Sequence, residues 1–388
     1  MSKRRRASSR CRFDTSDWLA DGVELLPLGR RVLDRERPHR VDRHESPSLL
    51  PASAMIAAPN RGAHTAAVNA SSQPIPSLVG DSAESFGALV DPYRRELLVH
   101  CYRMLGSLDD AEDAVQDAFI RAWNGRGTFQ RWISFRAWLY RIATNACLDA
   151  IERRKRSRAR EEHLGIGPFP DELLGGASPG PEARYDARES ISLAFLEALQ
   201  VLPPRQRAVL ILRDVLSWHA AEVAELLDLS VPAVNSALQR ARSTLAGRYR
   251  ASAVIRGVPR QSEPGHLRAL VERYVRAWES ADVAGLVALL RDDAVLSMPP
   301  GDPVSGAARI GAFLAGSVFL PGRHRRLVST SANGAPAFVA YASSGTGVRL
   351  RLFAVLVLAP GDEGIERIDA FFDPRQVARF GMSEELAG

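Results

Sequence analysis

The sequence predicts a multidomain chain: two all-α blocks, the second holding a helix-turn-helix, followed by an α+β domain. Three observations carry this. Apolar residues recur three and four apart from about Glu84 to Lys155, and again from Arg188 to Tyr249. Between these blocks, "GIGPFPDELLGGASPGPEA" has the Gly and Pro density of a linker. After "GVPRQSEPG", a helical opening ("LRALVERYVRAWESADVAGLVALL") leads into short apolar runs such as "APAFVAYAS", "VRLRLFAVLVLA" and "IERIDAFFD". That order is α+β.

Bulk properties set the frame for these parts. A chain of 388 residues, 46% of them hydrophobic, suits two or three domains. Residues 1–80 are rich in Arg, Pro, Ser and Ala without a sustained period, and are read as a disordered N-terminal extension. Met55 stands just before the change in composition and offers an alternative translation start. No apolar run approaches the length that crosses a bilayer, and the basic start (Lys3 to Arg6) lacks the apolar core of a secretion signal. The expected location is the cytoplasm. Cys11, Cys101 and Cys147 are odd in number and widely spaced, which fits reduced structural thiols rather than a disulfide framework or a zinc site. No metal or cofactor is expected. The net charge of +6 and pI near 9.6 point to an anionic partner.

In the second block, "LPPRQRAVLILRDVLSWHAAEVAELLDLSVPAVNSALQRARSTL" contains three helical pieces. Pro203 and Pro204 suit a first turn, and Ser230 is a good N-cap for the last helix. On that helix Val231, Val234, Leu238, Ala241 and Leu245 share the core face. At 100° per residue, Asn235, Ser236, Gln239 and Ser243 form the opposite stripe, flanked by Arg240 and Arg242. Short polar side chains bordered by cations fit base-edge readout with phosphate contacts at the margins. A short helix, a tight turn and such a helix make a helix-turn-helix.

In the first block, "FRAWLYRIATNACLDAIERRKRSRAR" has a core stripe of Phe135, Trp138, Leu139, Ile142 and Ala146. It ends in Arg153, Arg154, Lys155, Arg156, Arg158 and Arg160, enough charge to neutralise several phosphates. Upstream, "SLDDAEDAVQDAFIRAW" holds five carboxylates between Asp109 and Asp117. The same wheel buries Leu108, Ala111, Val115, Ala118, Phe119, Ala122 and Trp123, and turns Asp109, Asp113, Gln116 and Asp117 outward with Ile120 among them. An apolar residue ringed by carboxylates has the make-up of a protein contact with a polar rim.

Taken together, "YRMLGSLDDAEDAVQDAFIRAW", "FRAWLYRIATNACLDAIERRKR" and the second-block motifs closely resemble a bacterial sigma factor of the extracytoplasmic-function kind over about 85–250. The resemblance implies sigma region 2 over 81–158, a linker over 159–187 and region 4 over 188–250. It further implies that Asp113, Gln116, Asp117 and Ile120 meet the clamp helices of the largest subunit of core RNA polymerase. Asn145, Asp149, Arg153, Arg154, Lys155 and Arg156 fall where region 2 meets −10 promoter DNA. Phe129 and Trp132, in "NGRGTFQRWIS", fall where the family holds a flipped base; stacking there or packing against the next helix are the two alternatives. Region 4 would read the −35 element with Ser230, Asn235, Ser236, Gln239, Arg240, Arg242 and Ser243. The family often places Lys and Arg where this chain has Asn235 and Ala237, which suggests a different −35 preference.

After a linker over 251–265, residues 266–384 resemble a SnoaL-like domain, the cone-shaped α+β fold shared with ketosteroid isomerase. "YVRAWESAD" and "LLRDDAVLSMPP" carry most of this likeness. In relatives that carry such a domain, it resembles a built-in regulator of promoter binding. Its carboxylates (Asp282, Asp292, Asp293, Asp302, Asp369) and His266 and His324 form no acid–base pair by spacing, and Asp282 and Asp293 read as turn and capping residues. Tyr274, Trp278, Met298, Phe338 and Phe353 are expected to line or pack the cone, which leaves room for a small-molecule ligand. A short Gly-rich acidic signature common in related added domains has no clear copy here. The leading expectation is a sigma factor with no chemistry of its own, modulated in cis by 266–384. The alternatives are a ligand-sensing DNA-binding regulator, and a DNA reader fused to an isomerase- or hydrolase-like domain.

Overall fold

A computed structural model describes residues 82–131, 134–157, 166–174, 188–253, 264–299, 301–343 and 349–387. The extension expected over 1–80, with Cys11 and Met55, lies outside the described residues, as do Trp132, Arg158 and Arg160.

Four helices build the first block: α1 (Ala83–Val90), α2 (Arg94–Leu105), α3 (Leu108–Asn124) and α4 (Phe135–Ser157). Helix α2 is the central one, buried continuously from Leu97 to Leu105. It stops at Gly106, which takes the left-handed conformation (φ +77°), and α3 starts at once because Ser107 Oγ accepts the Asp110 N–H at 3.3 Å. This two-residue corner sets α3 against α2 and turns the carboxylates of α3 toward the outside.

The second block comprises α5 (Leu193–Gln200), α6 (Pro204–Leu210), α7 (Ala220–Leu227) and α8 (Val231–Ala253). Pro204 stands in the first turn of α6, which continues into one wider turn over Ile211–Val215. Between α7 and α8, Asp228 adopts a left-handed conformation (φ +53°) and Ser230 Oγ accepts the Ala233 N–H at 3.3 Å. This is the turn of a helix-turn-helix, with Ser230 as the expected cap. Val234, Leu238, Ala241 and Leu245 are buried, but Val231 is 40% exposed. As the first residue of α8 it has no preceding turn beside it, so the core face begins at Val234.

Both blocks contribute to a single apolar cluster running from Phe86 to Leu245. Phe169, inside the stretch read as a linker, is fully buried in that cluster. Residues 166–174 are thus packed structure rather than open spacer.

In the third part, α9 (Pro264–Glu279), α10 (Val283–Val287) and α11 (Ala307–Phe313) cover one face of a curved sheet. Its strands are β1 (Leu290–Ser297), β2 (Val304–Ser305), β3 (Arg325–Ala332), β4 (Ala335–Ala342), β5 (Arg349–Pro360), β6 (Ile365–Phe371) and β7 (Glu385–Ala387). The order is β2-β1-β6-β5-β4-β3, with β7 on β5; only β1 and β6 run parallel. Leu270, Tyr274, Trp278, Phe338 and Leu356 pack between helices and sheet, while Val339, Tyr341, Val355 and Phe371 face the other way. That outer face is covered by α12 (Pro374–Ala378), Phe380 and Leu193 of α5. Asp282 caps α10, accepting the Gly285 N–H at 2.8 Å. Asp293, expected in a turn, instead lies within β1 and pairs with Arg291 at 2.5 Å, because the strand begins three residues earlier, at Leu290.

Candidate functional site

Helix α3 separates its faces as the wheel requires. Leu108, Ala111, Ala114, Val115, Ala118 and Ala122 are buried, whereas Asp113 and Gln116 are exposed and Ile120 is 54% exposed. Asp117 is half-buried and accepts Arg121 at 2.8 Å, and Arg121 also reaches Asp149 on α4 at 2.6 Å. The first pair lies within α3; the second joins α3 to α4, and its hydrogen bond to Asp149 holds the Arg121 guanidinium above its usual value. At the N-terminal end of α3, Asp110 is paired with Arg154. Carboxylates in the first turn also favour the positive end of the helix dipole.

Along α4, Asn145, Asp149, Arg153, Lys155 and Arg156 are exposed on its outer side. Lys155 stands 3.6 Å from Glu152. Arg154 turns inward instead, toward Asp110 and the Leu105 carbonyl, so it ties α4 to the α2–α3 corner. Phe129 packs edge-on against Phe135 and Trp138, at centroid distances of 5.4 and 5.6 Å. Of the two alternatives for this ring, packing is the one this structure displays. On α8, Asn235, Ser236, Gln239, Arg240, Arg242 and Ser243 are all exposed. Arg242 is held by Asp214 at 2.6 Å, which fixes one border of the polar stripe.

A groove of about 690 Å³ separates α4 from the helix-turn-helix, with Asn145 and Trp138 on one bank and Ala224 and Leu229 on the other. Arg141 of α4 bridges it, donating to Asp228 at 3.0 and 2.7 Å and to the Glu225 carbonyl at 3.0 Å. The turn of the helix-turn-helix therefore lies over the face of α4 that bears Asn145.

Residues 89–157 match the sigma-70 region 2 family, 192–245 match sigma-70 region 4, and 271–377 match the SnoaL-like domain family. The ECF RNA polymerase sigma factor SigG of Mycobacterium tuberculosis is 40% identical over 340 residues, covering 82% of this chain and 89% of SigG. The chain belongs to the ECF RNA polymerase sigma factors. A second relative, ECF sigma factor SigW of Bacillus subtilis, is 31% identical over 173 residues, 43% of this chain and 90% of SigW. The crystal structure of the M. tuberculosis extracytoplasmic function sigma factor SigJ shares the fold, with a TM-score of 0.52 at 22% identity over 75% of this chain and 98% of that one.

In this sigma factor the SnoaL-like domain is knotted to both sigma regions through a residue that sequence reasoning passed over. Asn333 and Gly334 form the β3–β4 turn, both at positive φ (+55° and +73°). The Asn333 side chain is buried among three segments. Its Oδ1 accepts the Phe169 N–H at 2.8 Å, and its Nδ2 donates to Tyr102 Oη and to the Ile191 carbonyl, both at 2.7 Å. Tyr102 Oη in turn donates to the Gly167 carbonyl at 2.7 Å, and burial raises its phenol well above the usual range. A side chain on Gly334 would meet the Arg188 backbone at 2.9 Å, so glycine is needed there for close approach as well as for conformation. The one signal in the sequence was the Asn-Gly pair between apolar runs, a strong hairpin mark.

Other contacts join the parts. Arg103, buried in α2, donates to Ser190 Oγ at 2.5 Å, and Arg207 of α6 donates to the Met104 carbonyl at 2.5 Å. Burial lowers both guanidiniums to about 10. Arg379, just past α12, pairs with Asp109 at 2.9 Å and Glu112 at 2.6 Å on α3. Arg367 of β6 reaches Glu197 of α5 at 2.6 Å.

The sigma factor is a transcription initiation factor and not an enzyme. Within the SnoaL-like domain, His266, Asp292, Asp302 and His324 are exposed, and Asp369 points away from the cone interior, on the sheet face that also bears Phe371. Tyr274, Trp278 and Phe338 pack the interior, with Met298 and Phe353 against it. Among the described residues no group of His, Cys, Asp and Glu is placed to hold a metal, and no helix is long and apolar enough to cross a membrane.

Proposed function

We propose that this sigma factor binds core RNA polymerase in the cytoplasm and directs promoter-specific initiation, with the SnoaL-like domain holding it closed in cis. Asp113, Gln116, Asp117 and Ile120 would meet the largest-subunit clamp helices. Asn145, Asp149, Arg153, Lys155 and Arg156 would meet −10 DNA, with Arg154, Phe129 and Trp132 supporting or joining that surface. Ser230, Asn235, Ser236, Gln239, Arg240, Arg242 and Ser243 would meet the −35 duplex.

Closure is the part with the clearest geometric support. The −35 and −10 elements lie about 25 base pairs apart, or ~85 Å at ~3.4 Å per base pair. Yet Asp228, at the foot of the reading helix α8, touches Arg141 on α4. Both elements cannot be read in this arrangement, so promoter engagement requires region 4 to leave region 2. The observation that carries the regulatory reading is Asn333, whose side chain fastens the SnoaL-like domain to Tyr102 of region 2, Phe169 of the connecting stretch and Ile191 at the start of region 4. Opening the sigma regions must break or carry along this knot. A ligand inside the cone rests on less: Tyr274 Oη and Trp278 Nε1 are buried donors without a partner among the described residues, in an interior otherwise filled by apolar side chains.

The test is transcription with purified chain and core polymerase, start sites mapped, using the intact chain and a chain lacking 251–388. Promoter-specific starts that increase on removal are the expected result. No specific initiation from either form would overturn the sigma assignment; equal output from both across several promoters would overturn control in cis alone.

A further inference from the structure

Helix α7, the first helix of the helix-turn-helix, meets α4 of region 2 at both of its ends. Just past its C-terminal end, Asp228 pairs with Arg141 at 2.7 Å, but the Asp228 side chain is 72% exposed, so that pair contributes little. The N-terminal end is different. Trp218, two residues before α7, is only 8% exposed, and its indole packs on Tyr140 of α4 at a centroid distance of 5.1 Å. The Arg136 guanidinium lies 5.6 Å from the same indole and 5.1 Å from the Tyr140 ring. Glu96 of α2 holds that guanidinium at 2.9 Å, so the seat for the indole is set within region 2 itself. The chain leading to Trp218 is shaped to aim it. After the wider turn over Ile211–Val215, Ser217 takes the left-handed conformation (φ +56°), which a residue with a side chain adopts at a cost. The Trp218 N–H then donates to the Leu212 carbonyl at 3.0 Å, and Arg213 donates to the Trp218 carbonyl. The backbone is thus clamped on both sides of the indole within region 4, while the ring is delivered to region 2.

A buried aromatic ring seated against an aromatic ring and a guanidinium has the composition of an interface anchor. We propose that Trp218 anchors a second lock, which holds region 4 on region 2 independently of the SnoaL-like domain. The proposal rests on the reading that region 4 must leave region 2 for promoter engagement, and it assigns part of that resistance to the sigma regions themselves. Every side chain of the seat belongs to region 2 and the anchor belongs to region 4, so undocking the SnoaL-like domain leaves this contact in place. Opening therefore takes two events: release of the Asn333 knot, and withdrawal of Trp218 from Tyr140 and Arg136. A signal that reaches the SnoaL-like domain alone weakens closure without abolishing it.

The experiment is single-molecule energy transfer in the full-length chain, which counts closed and open molecules. Dyes go on R95C and T244C, exposed positions on region 2 and region 4, with C11S to remove a competing thiol; Cys101 and Cys147 are buried. N333G, which frees the SnoaL-like domain, is expected to leave most molecules closed. Adding W218A to N333G should lower the closed-to-open ratio at least about tenfold. R136A changes the seat and leaves region 4 untouched. It should lower the ratio severalfold in N333G and add nothing once Trp218 is gone, a coupling that a purely internal role of Trp218 in region 4 does not produce. Melting curves report whether each variant is folded; if W218A is not, R136A in N333G decides. An N333G chain that is already open, or a ratio that these changes leave unmoved, overturns the lock. If that happens while removal of 251–388 still raises transcription, control by the SnoaL-like domain stands without it. If removal has no effect while W218A still opens the chain, the lock stands and that control falls.

Discussion

Replacing Asn333 with glycine removes the knot while leaving the hairpin its preferred backbone, since φ is already +55° at that position. Three hydrogen bonds of 2.7–2.8 Å disappear, to the Phe169 N–H, Tyr102 Oη and the Ile191 carbonyl. Each is worth about 1 kcal/mol net, and a backbone group left buried without a partner costs about 1–3 kcal/mol. Tyr102 keeps its bond to the Gly167 carbonyl, so its share of the penalty is small. The three bonds alone sum to about 3 kcal/mol, or at least about 100-fold in an equilibrium constant, and the orphaned Phe169 N–H and Ile191 carbonyl can only add to it. Because the partners belong to region 2, the connecting stretch and region 4, this loss falls on docking rather than on the internal stability of the SnoaL-like domain. Hydrogen exchange reads it directly. Amides of 166–174 that exchange through undocking should lose about 100-fold in protection, while those within β4 and β5 hold theirs. Promoter binding by the holoenzyme should rise in the same variant. Unchanged protection at Phe169 in N333G would refute the reasoning, since it would mean that region 2 alone holds this stretch.

Two further outcomes test other parts of the molecule. Ile120→Asp removes an apolar side chain that is 54% exposed on α3 and adds a charge there; core polymerase affinity should fall about tenfold or more, with no change in melting temperature, as measured by fluorescence anisotropy. Undiminished affinity would remove α3 from the interface. His100 is fully buried against Thr144 Oγ1 at 2.9 Å, and burial, with Arg103 and Arg136 nearby, lowers it from 6.5 to about 3. The unfolded chain therefore takes up a proton that the folded chain refuses. The resulting stability is complete above pH 6.5 and is lost as pH falls toward 3, by up to about 1.4 kcal/mol per pH unit. Urea midpoints between pH 7 and 5 should show this slope in the wild type and a flatter one in H100Q; identical slopes would refute it.

The amphipathic helices were legible because their faces are set by local geometry. The outward turn of Asp113, Gln116 and Ile120, the Ser230 cap and the exposed stripe from Asn235 to Ser243 all follow from 3.6-residue periodicity and short-range capping. The order of helices and strands that makes the third part α+β followed from the same kind of evidence. Features that depend on distant partners were not legible. Arg154 stands in a run of cations and looks like its neighbours; only the packing of α4 beside Asp110 turns it inward. "GIGPFPDELL" carries the Gly and Pro of a loop, yet Phe169 finds a fully buried place because the β3–β4 hairpin closes over it. Asn333 gave a local turn signal, but its role lies in contacts across 142 to 231 residues of chain. Asp369 was visible as a carboxylate; that it faces region 4 rather than the cone depended on strand register.

Magnitudes also separate polymerase binding from opening. The contact between the SnoaL-like domain and the acidic helix is made by Arg379, whose partners Asp109 and Glu112 are, like it, more than a third exposed. Pairs of that exposure contribute at most about 1 kcal/mol and weaken further with salt. They lie at the N-terminal end of α3, whereas Asp113, Gln116 and Ile120 stand free on the outward face. A partner arriving at that face has only a weak pair to displace. Separating Arg141 from Asp228 and drawing Asn333 out of its knot costs several times more, because the Asn333 groups are desolvated. On the proposed assignment of these surfaces, polymerase could be loaded while the SnoaL-like domain is still docked, and the proposed control in cis would act on the reading of DNA rather than on assembly with polymerase.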